Sequence, residues 1–248
     1  MLPIEKREGT HMYGLGTIIN TGAIVAGGLA GILFGRFLKE NVQDTLSKCC
    51  GVSTLMIGIA GALEKMLTLE KGAISGGGSM LLVLCLTVGG VIGELLNLEG
   101  AFECFGRWLK EKTGNAKDKG FVNAFVTASL TVCIGAMAIV GSIQDGLTGD
   151  YSVLATKAVL DFIIIMVMSC SLGPGAAFSA IPVAILQGSV TALAGLVRPV
   201  MTEAALNNLS LVGSVLIFCV GINLLWGKKI RVANLLPAIV LAVAAAFL

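Results

Sequence analysis

Residues 14–38 read GLGTIINTGAIVAGGLAGILFGRFL. No charge interrupts this stretch before Arg36, and it exceeds the roughly 20 apolar residues that a helix needs to cross the hydrocarbon core of a bilayer. It is also longer than the apolar region of a signal peptide, about 7–15 residues, and no small-x-small cleavage site follows it. It reads as a first transmembrane helix. The same ruler finds further spans at 49–69, 76–97, 120–143, 153–172, 175–197, 210–226 and 232–248. Only Gly173-Pro174 separates the fifth from the sixth. A proline there ends one helix and starts the next, so the two form either a tight hairpin or a broken element. The expected fold is therefore an all-α, polytopic integral membrane protein with seven or eight transmembrane helices.

Composition agrees. The chain has 248 residues, 56% hydrophobic and 13% charged, where a soluble domain carries about 25% charged residues. This excludes a soluble globular enzyme and a disordered protein. The net charge of +2 is too small to suggest nucleic acid as a partner. No G-x-S-x-G, H-E-x-x-H, phosphate-binding loop or dinucleotide fingerprint occurs. The seven cysteines show no C-x-x-C spacing. The expectation is a protein that is not an enzyme and uses no cofactor and no metal. The one histidine, His11, precedes Met12, a pair that a common cloning site leaves ahead of a native start codon. Residues 1–11 are therefore expected to be an appended extension, with 12–248 forming a single transmembrane domain.

Loop charges orient the spans. Arg36, Lys39 and Lys48 lie in one loop, Arg107, Lys110, Lys112, Lys117 and Lys119 in a second, and Lys228, Lys229 and Arg231 in a third. The alternate loops hold only Lys65, Lys71 and Arg198. With eight spans, both termini lie outside and the basic loops are cytoplasmic. Between the third and fourth spans, Leu98, Phe102, Phe105 and Leu109 recur at helical spacing with Trp108 beside them. This predicts an amphipathic helix around 98–110 on the inner surface.

Gly27, Gly31 and Gly35 fall four apart in the first span, as do Gly89 and Gly93 in the third. Such stripes let helix backbones approach closely. The spacing leaves open whether the partner is the same chain or a second copy in a homo-oligomer. The halves also echo each other: Leu55-Met56-Ile57-Gly58-Ile59 resembles Phe218-Cys219-Val220-Gly221-Ile222, and Leu81–Gly90 resembles Leu235–Ala245 with one residue inserted. Spans 1–3 would then correspond to spans 6–8. A displacement of five spans reverses direction, so the repeat would be inverted, an architecture that places transport sites near the midplane.

Polar groups inside spans are expensive, and they face either a packed interior or a hydrated cavity. The candidates for contact with a solute or ion are Thr17 and Asn20 in the first span, Asn123 in the fourth, Gln144 and Asp145 in the polar string that follows, Lys157 and Asp161 in the fifth, and Gln187 in the sixth. The string Gly141–Asp150 reads as a turn, its Asp145-Gly146 pair suiting a reversal. Lys157 and Asp161 are four apart, on one helix face. Asp161 lies about 12 Å inside its span, where an isolated carboxylate needs a partner or water. Glu64 and Glu94, near span ends, are weaker candidates.

Gly16-Thr17-Ile18-Ile19-Asn20-Thr21 with Gly27-Gly28, then Ala138–Asp150, Lys157, Asp161, Phe178-Ser179-Ala180 and Gln187-Gly188-Ser189 resemble a family of bacterial polytopic membrane proteins. This is the YdfK/YqgA-like family of unknown function, family 554, and the likeness runs from Met12 to the end of the chain. One departure is Ala136 ahead of Met137, where that family usually has proline. The resemblance therefore leaves a helix kink there in doubt. It implies a fold and a bacterial membrane location but no activity. The function expected from the residues is a transporter or channel for a small solute or ion, of unknown identity, across the bacterial inner membrane. The alternative is a non-transporting scaffold or assembly partner. Besides that solute, the expected partners are the lipid bilayer and a second copy of the chain.

Overall fold

The computed structural model describes residues 13–70 and 73–247; the expected extension 1–11, Met12 and Lys71 lie outside the described residues. Helix α1 (Leu15–Gly35) and α2 (Glu40–Met66) are followed by strands β1 (Leu67–Glu70) and β2 (Ala73–Gly76). Then come α3 (Ser79–Leu96), α4 (Leu98–Lys112), α5 (Phe121–Cys133), α6 (Ala136–Thr148) and α7 (Ser152–Leu172). A 3-10 turn, Pro174–Ser179, leads into α8 (Ala180–Ala192), α9 (Ala194–Val197) and α10 (Glu203–Trp226), and a second, Val232–Leu235, leads into α11 (Pro237–Ala244).

Six of these helical stretches are long and apolar enough to cross a membrane, and the bent pair α5–α6 makes a seventh. The C-terminal apolar run, Val232–Phe247, is shorter. The molecule is thus a polytopic membrane protein, all-helical among the described residues apart from an antiparallel hairpin, β1 with β2, between α2 and α3. Large apolar side chains such as Ile18, Leu29, Val83, Leu95 and Val159 stand exposed on the helices, as they must where the surroundings are hydrocarbon.

The glycine stripes pack within the chain. Gly27, Gly31 and Gly35 of α1 press in that order against Phe162, Met166 and Cys170 of α7, so α1 and α7 run parallel. A Cβ on Gly31 would lie 2.8 Å from the Ser169 Cβ. Gly89 and Gly93 of α3 rest against Ala238 and Asn234, which fixes that pair as antiparallel. Helices α2 and α10 are also antiparallel, with Gly51 at Leu225, Gly58 at Phe218 and Gly61 at Ser214.

The α2–α10 contact is reciprocal. A Cβ on Gly58 would sit 2.8 Å from the Phe218 Cα, and one on Gly221 would sit 2.7 Å from the Leu55 nitrogen. In the sequence echo, Gly58 corresponds to Gly221 and Leu55 to Phe218. This i-to-j and j-to-i pattern is what a two-fold axis imposes.

Two expectations are corrected. The fourth span is not continuous over 120–143: it breaks at Ile134–Gly135 and bends by 62°. Gly135 has φ 148°, a conformation that side chains disfavour, so glycine makes the bend and proline is not needed. The string 141–150 is helical through Thr148. Its reversal comes later, at Gly149 with φ 68°, because Gly141 and Gly146 pack tightly against Leu154 and the Thr191–Ala194 segment. The fifth-to-sixth junction is a sharp turn at Gly173 (φ 103°) followed by the 3-10 segment. Helix α4 forms over the expected residues, with Leu109 buried and Trp108 exposed.

Candidate functional site

Asp145 is fully buried and lies across the N-terminus of α1. Its Oδ1 accepts from the Gly14 N–H at 3.2 Å, and its Oδ2 accepts from those of Gly16 at 3.1 Å and Thr17 at 3.3 Å. The first N–H groups of a helix have no partner within it and carry the positive end of its dipole. A carboxylate there satisfies both needs, so Asp145 ties α6 to α1. The Thr17 and Thr191 hydroxyls meet one turn further in, at 3.3 Å.

Deeper along α1 is a second polar group. The Asn20 amide donates to Asp161 Oδ2 at 3.0 Å and to Gln187 Oε1 at 3.2 Å. The Lys157 ammonium donates to the same Asp161 oxygen at 2.5 Å and to the Val132 carbonyl at 2.9 Å. Helices α1, α5, α7 and α8 converge here. The broken helix supplies the backbone acceptor: the chain leaves α5 at Ile134, and the carbonyls of its last turn have no following turn to bond. All four side chains are buried, Asn20 and Gln187 almost completely. Lys157 and Asp161 neutralise one another.

Two polar atoms of this group, Asn20 Oδ1 and Gln187 Nε2, have no hydrogen-bond partner, and the same holds elsewhere in the buried interior for Gln144 Oε1 and the hydroxyls of Thr21, Ser129, Ser142, Ser169 and Ser179. Each such atom costs on the order of 1–3 kcal/mol when left unpaired. Buried polar groups in native proteins are otherwise nearly all paired.

Of the expected residues, Asn20, Lys157, Asp161 and Gln187 form this cluster, Thr17 and Asp145 lie next to it along α1, and Gln144 sits beside Asp145 on α6. Asn123 stands apart. It is exposed and lines a cavity of about 370 Å³ among α4, α5 and α10, with Arg107, Lys110, Lys119 and Lys228 around it. Sequence reasoning missed the Val132 carbonyl, because a carbonyl freed by a helix break leaves no residue-type signal. Thr191 was visible as a polar residue within a span, but nothing in the sequence pairs it with Thr17.

A further network clamps α4 at the basic end. Lys228 pairs with Glu99 at 2.9 Å and with Glu103, while Glu94 takes Arg231 and the Asn234 amide. The buried Glu99 accepts from the Ala233 N–H at 3.0 Å, and its own N–H donates to Asn234 Oδ1 at 2.7 Å. The hydrogen bond from Lys228 holds the Glu103 carboxyl below its ordinary range. Partial desolvation pulls Lys228 downward, but the bonds to Glu103 and Glu99 outweigh it and leave the ammonium's pKa raised.

A family model described as "Protein of unknown function (DUF554)" matches residues 15–247. The chain is 30% identical over 226 residues to "Uncharacterized membrane protein YdfK" of Bacillus subtilis (strain 168), covering 91% of this chain and 93% of that one. It is 28% identical over 232 residues to "Uncharacterized protein YqgA" of Escherichia coli (strain K12), covering 92% and 94%. No solved structure matches the chain. By the match over nearly its whole length, and by its membrane-spanning helices, the chain belongs to the DUF554 family of multi-pass membrane proteins.

Proposed function

We propose that the chain is a transporter or channel for a small solute or ion across the bacterial inner membrane, non-enzymatic, with its basic loops in the cytoplasm. The observation that carries this reading is the buried cluster of Asn20, Lys157, Asp161 and Gln187, with its unpaired polar atoms. A purely structural polar network gains by pairing every member. This one balances its charges yet keeps an acceptor on Asn20 and donors on Gln187 free. Those free groups suit a polar guest that enters and leaves. The broken helix at Gly135 supports the same reading, since irregular backbone at membrane depth is tolerated where it is packed in protein or lines a solute path.

A second reading, a non-transporting scaffold, draws on the same bonds: they tie α1, α5, α7 and α8 together, and every charge in the cluster is paired. Solvent access separates the two. Gln187→Cys, in a chain otherwise free of cysteine, reacts with a small water-soluble thiol reagent if the cluster is a solute site. It stays inert if the cluster is a static lock.

A further inference from the structure

An apolar groove of about 670 Å³ runs along the outside of the broken helix. Cys133, Ile134, Gly135 and Ile139 form one wall, Pro182, Ile185 and Leu186 another, and Phe102, Leu209 and Ile239 close the remaining sides. At its mouth Ile185 and Val240 are among the most exposed apolar side chains of the molecule, 63% and 70%. In a membrane this mouth opens on hydrocarbon. At its back the groove comes within one residue of the buried cluster on two sides. Cys133 lines the groove, and the peptide carbonyl joining Val132 to it accepts from Lys157. Leu186 lines it too, and the next residue, Gln187, bonds Asn20.

We infer that the solute is an amphiphile that enters sideways from the bilayer, its apolar tail in this groove and its polar head at Asn20 and Gln187. This rests on the transport reading and names its substrate class: long-chain weak acids in the protonated, uncharged form. Three features select that class. The groove is continuous with the lipid-facing surface and offers almost nothing polar, so its occupant there is a hydrocarbon chain. The Lys157–Asp161 pair is already neutral, so a charged head would leave one charge in excess in a buried site. Within the cluster the free groups are the Asn20 amide oxygen and the Gln187 amide nitrogen, and a carboxylic acid offers the matching O–H donor and carbonyl acceptor. Gly135, in the groove wall, marks the break between α5 and α6, and it is there that the wall can part.

The test uses the full chain in lipid nanodiscs with a long-chain fatty acid carrying a diazirine near the end of its tail. Illumination is expected to attach the probe to groove residues such as Ile139, Ile185 and Ile239, and excess palmitic acid is expected to suppress the labelling. Ile139→Trp fills the groove and is expected to abolish it. Gln187→Leu is expected to weaken probe binding about tenfold, the loss of one hydrogen bond to the head. The competition arm needs only the wild-type chain, so a poorly folding variant does not decide the matter. Labelling spread equally over lipid-facing residues such as Val91 and Val159 would overturn the inference, as would labelling that phospholipid alone suppresses. Disulfides between copies through Ile185→Cys or Val240→Cys would assign the groove to a second copy of the chain. If Gln187→Cys reacts with the water-soluble reagent while the groove takes no probe, transport stands and entry from the bilayer falls.

Discussion

The Asn20 amide donates to the Asp161 carboxylate at 3.0 Å, joining two helices across 141 residues of sequence. Because the same carboxylate oxygen holds Lys157, removing Asp161 leaves the cation without its counter-charge and takes one of the two acceptors from the Asn20 amide. Breaking a buried ion pair from one side costs about 3–5 kcal/mol, whereas replacing both partners by apolar groups is often neutral. Asp161→Leu is therefore expected to lower the melting temperature strongly, and adding Lys157→Met to recover most of the loss. A double variant no more stable than the single one would show that the two charges are not coupled as described.

The α1–α7 seam is tight enough to reject a methyl group. At Gly31 an added Cβ would meet the Met166 backbone and Ser169, whereas at Gly22 nothing lies within 4 Å. Gly31→Ala is expected to destabilise by about 1–3 kcal/mol through overpacking. Gly22→Ala is expected to be neutral or to stabilise by up to about 1 kcal/mol through helix propensity. Thermal unfolding of the two variants in one detergent gives the comparison. Equal melting temperatures would contradict the packing.

Asp145 serves α1 as a cap supplied from another helix. Asp145→Ala leaves the Gly14, Gly16 and Thr17 N–H groups without their acceptor and is expected to cost about 1–2 kcal/mol, in the range of other lost caps. Amide hydrogen exchange in the first turn of α1 should accelerate in the variant while the α2–α10 contact stays protected. Unchanged exchange there would mean that the cap contributes nothing.

Much of this was legible in the sequence because membrane helices announce themselves by length and apolarity. Four of the expected site residues meet in one cluster for the same reason: polar groups deep in a span must converge or be solvated. The break at Gly135 was not legible. A lone glycine in an apolar run is common, and only its φ of 148° shows that it bends the chain. The string 141–150 misled because its Asp-Gly pair has the chemistry of a turn, while its tertiary role, capping α1 and packing Gly146 against Thr191, keeps it helical. Asn123 has the composition of a buried polar residue but stands outside the packed cluster, and helical position within α5 decides that. The clamp of Glu99 and Glu103 on Lys228 spans more than 120 residues, and no local pattern reports it.

That clamp gives α4 an acid-sensitive attachment. Glu103 normally titrates near 4.5 and is held lower in the folded chain. Its contribution is therefore present above that value and is lost as pH falls through the lowered one. Lys228 is raised above 10.5, so its contribution holds below that value and is lost only as pH rises beyond it. Both groups are partly exposed, so the pair is worth less than about 1 kcal/mol. Hydrogen exchange in α4 is expected to be flat near neutrality and to quicken in acid beyond the intrinsic rate. Glu103→Gln should raise the neutral-pH rate and flatten the acid response. An acid response unchanged by Glu103→Gln would assign it elsewhere.

Transport requires that the buried cluster open to water. Gln187→Cys in a cysteine-free chain, reconstituted in right-side-out and in inside-out vesicles, is treated with a membrane-impermeant thiol reagent, and the rate is compared with that of Ile165→Cys in the packed core. Measurable reaction is expected at position 187 from at least one face, faster than at position 165. Reaction at position 187 as slow as at position 165 from both faces would contradict it and leave the cluster as a structural lock.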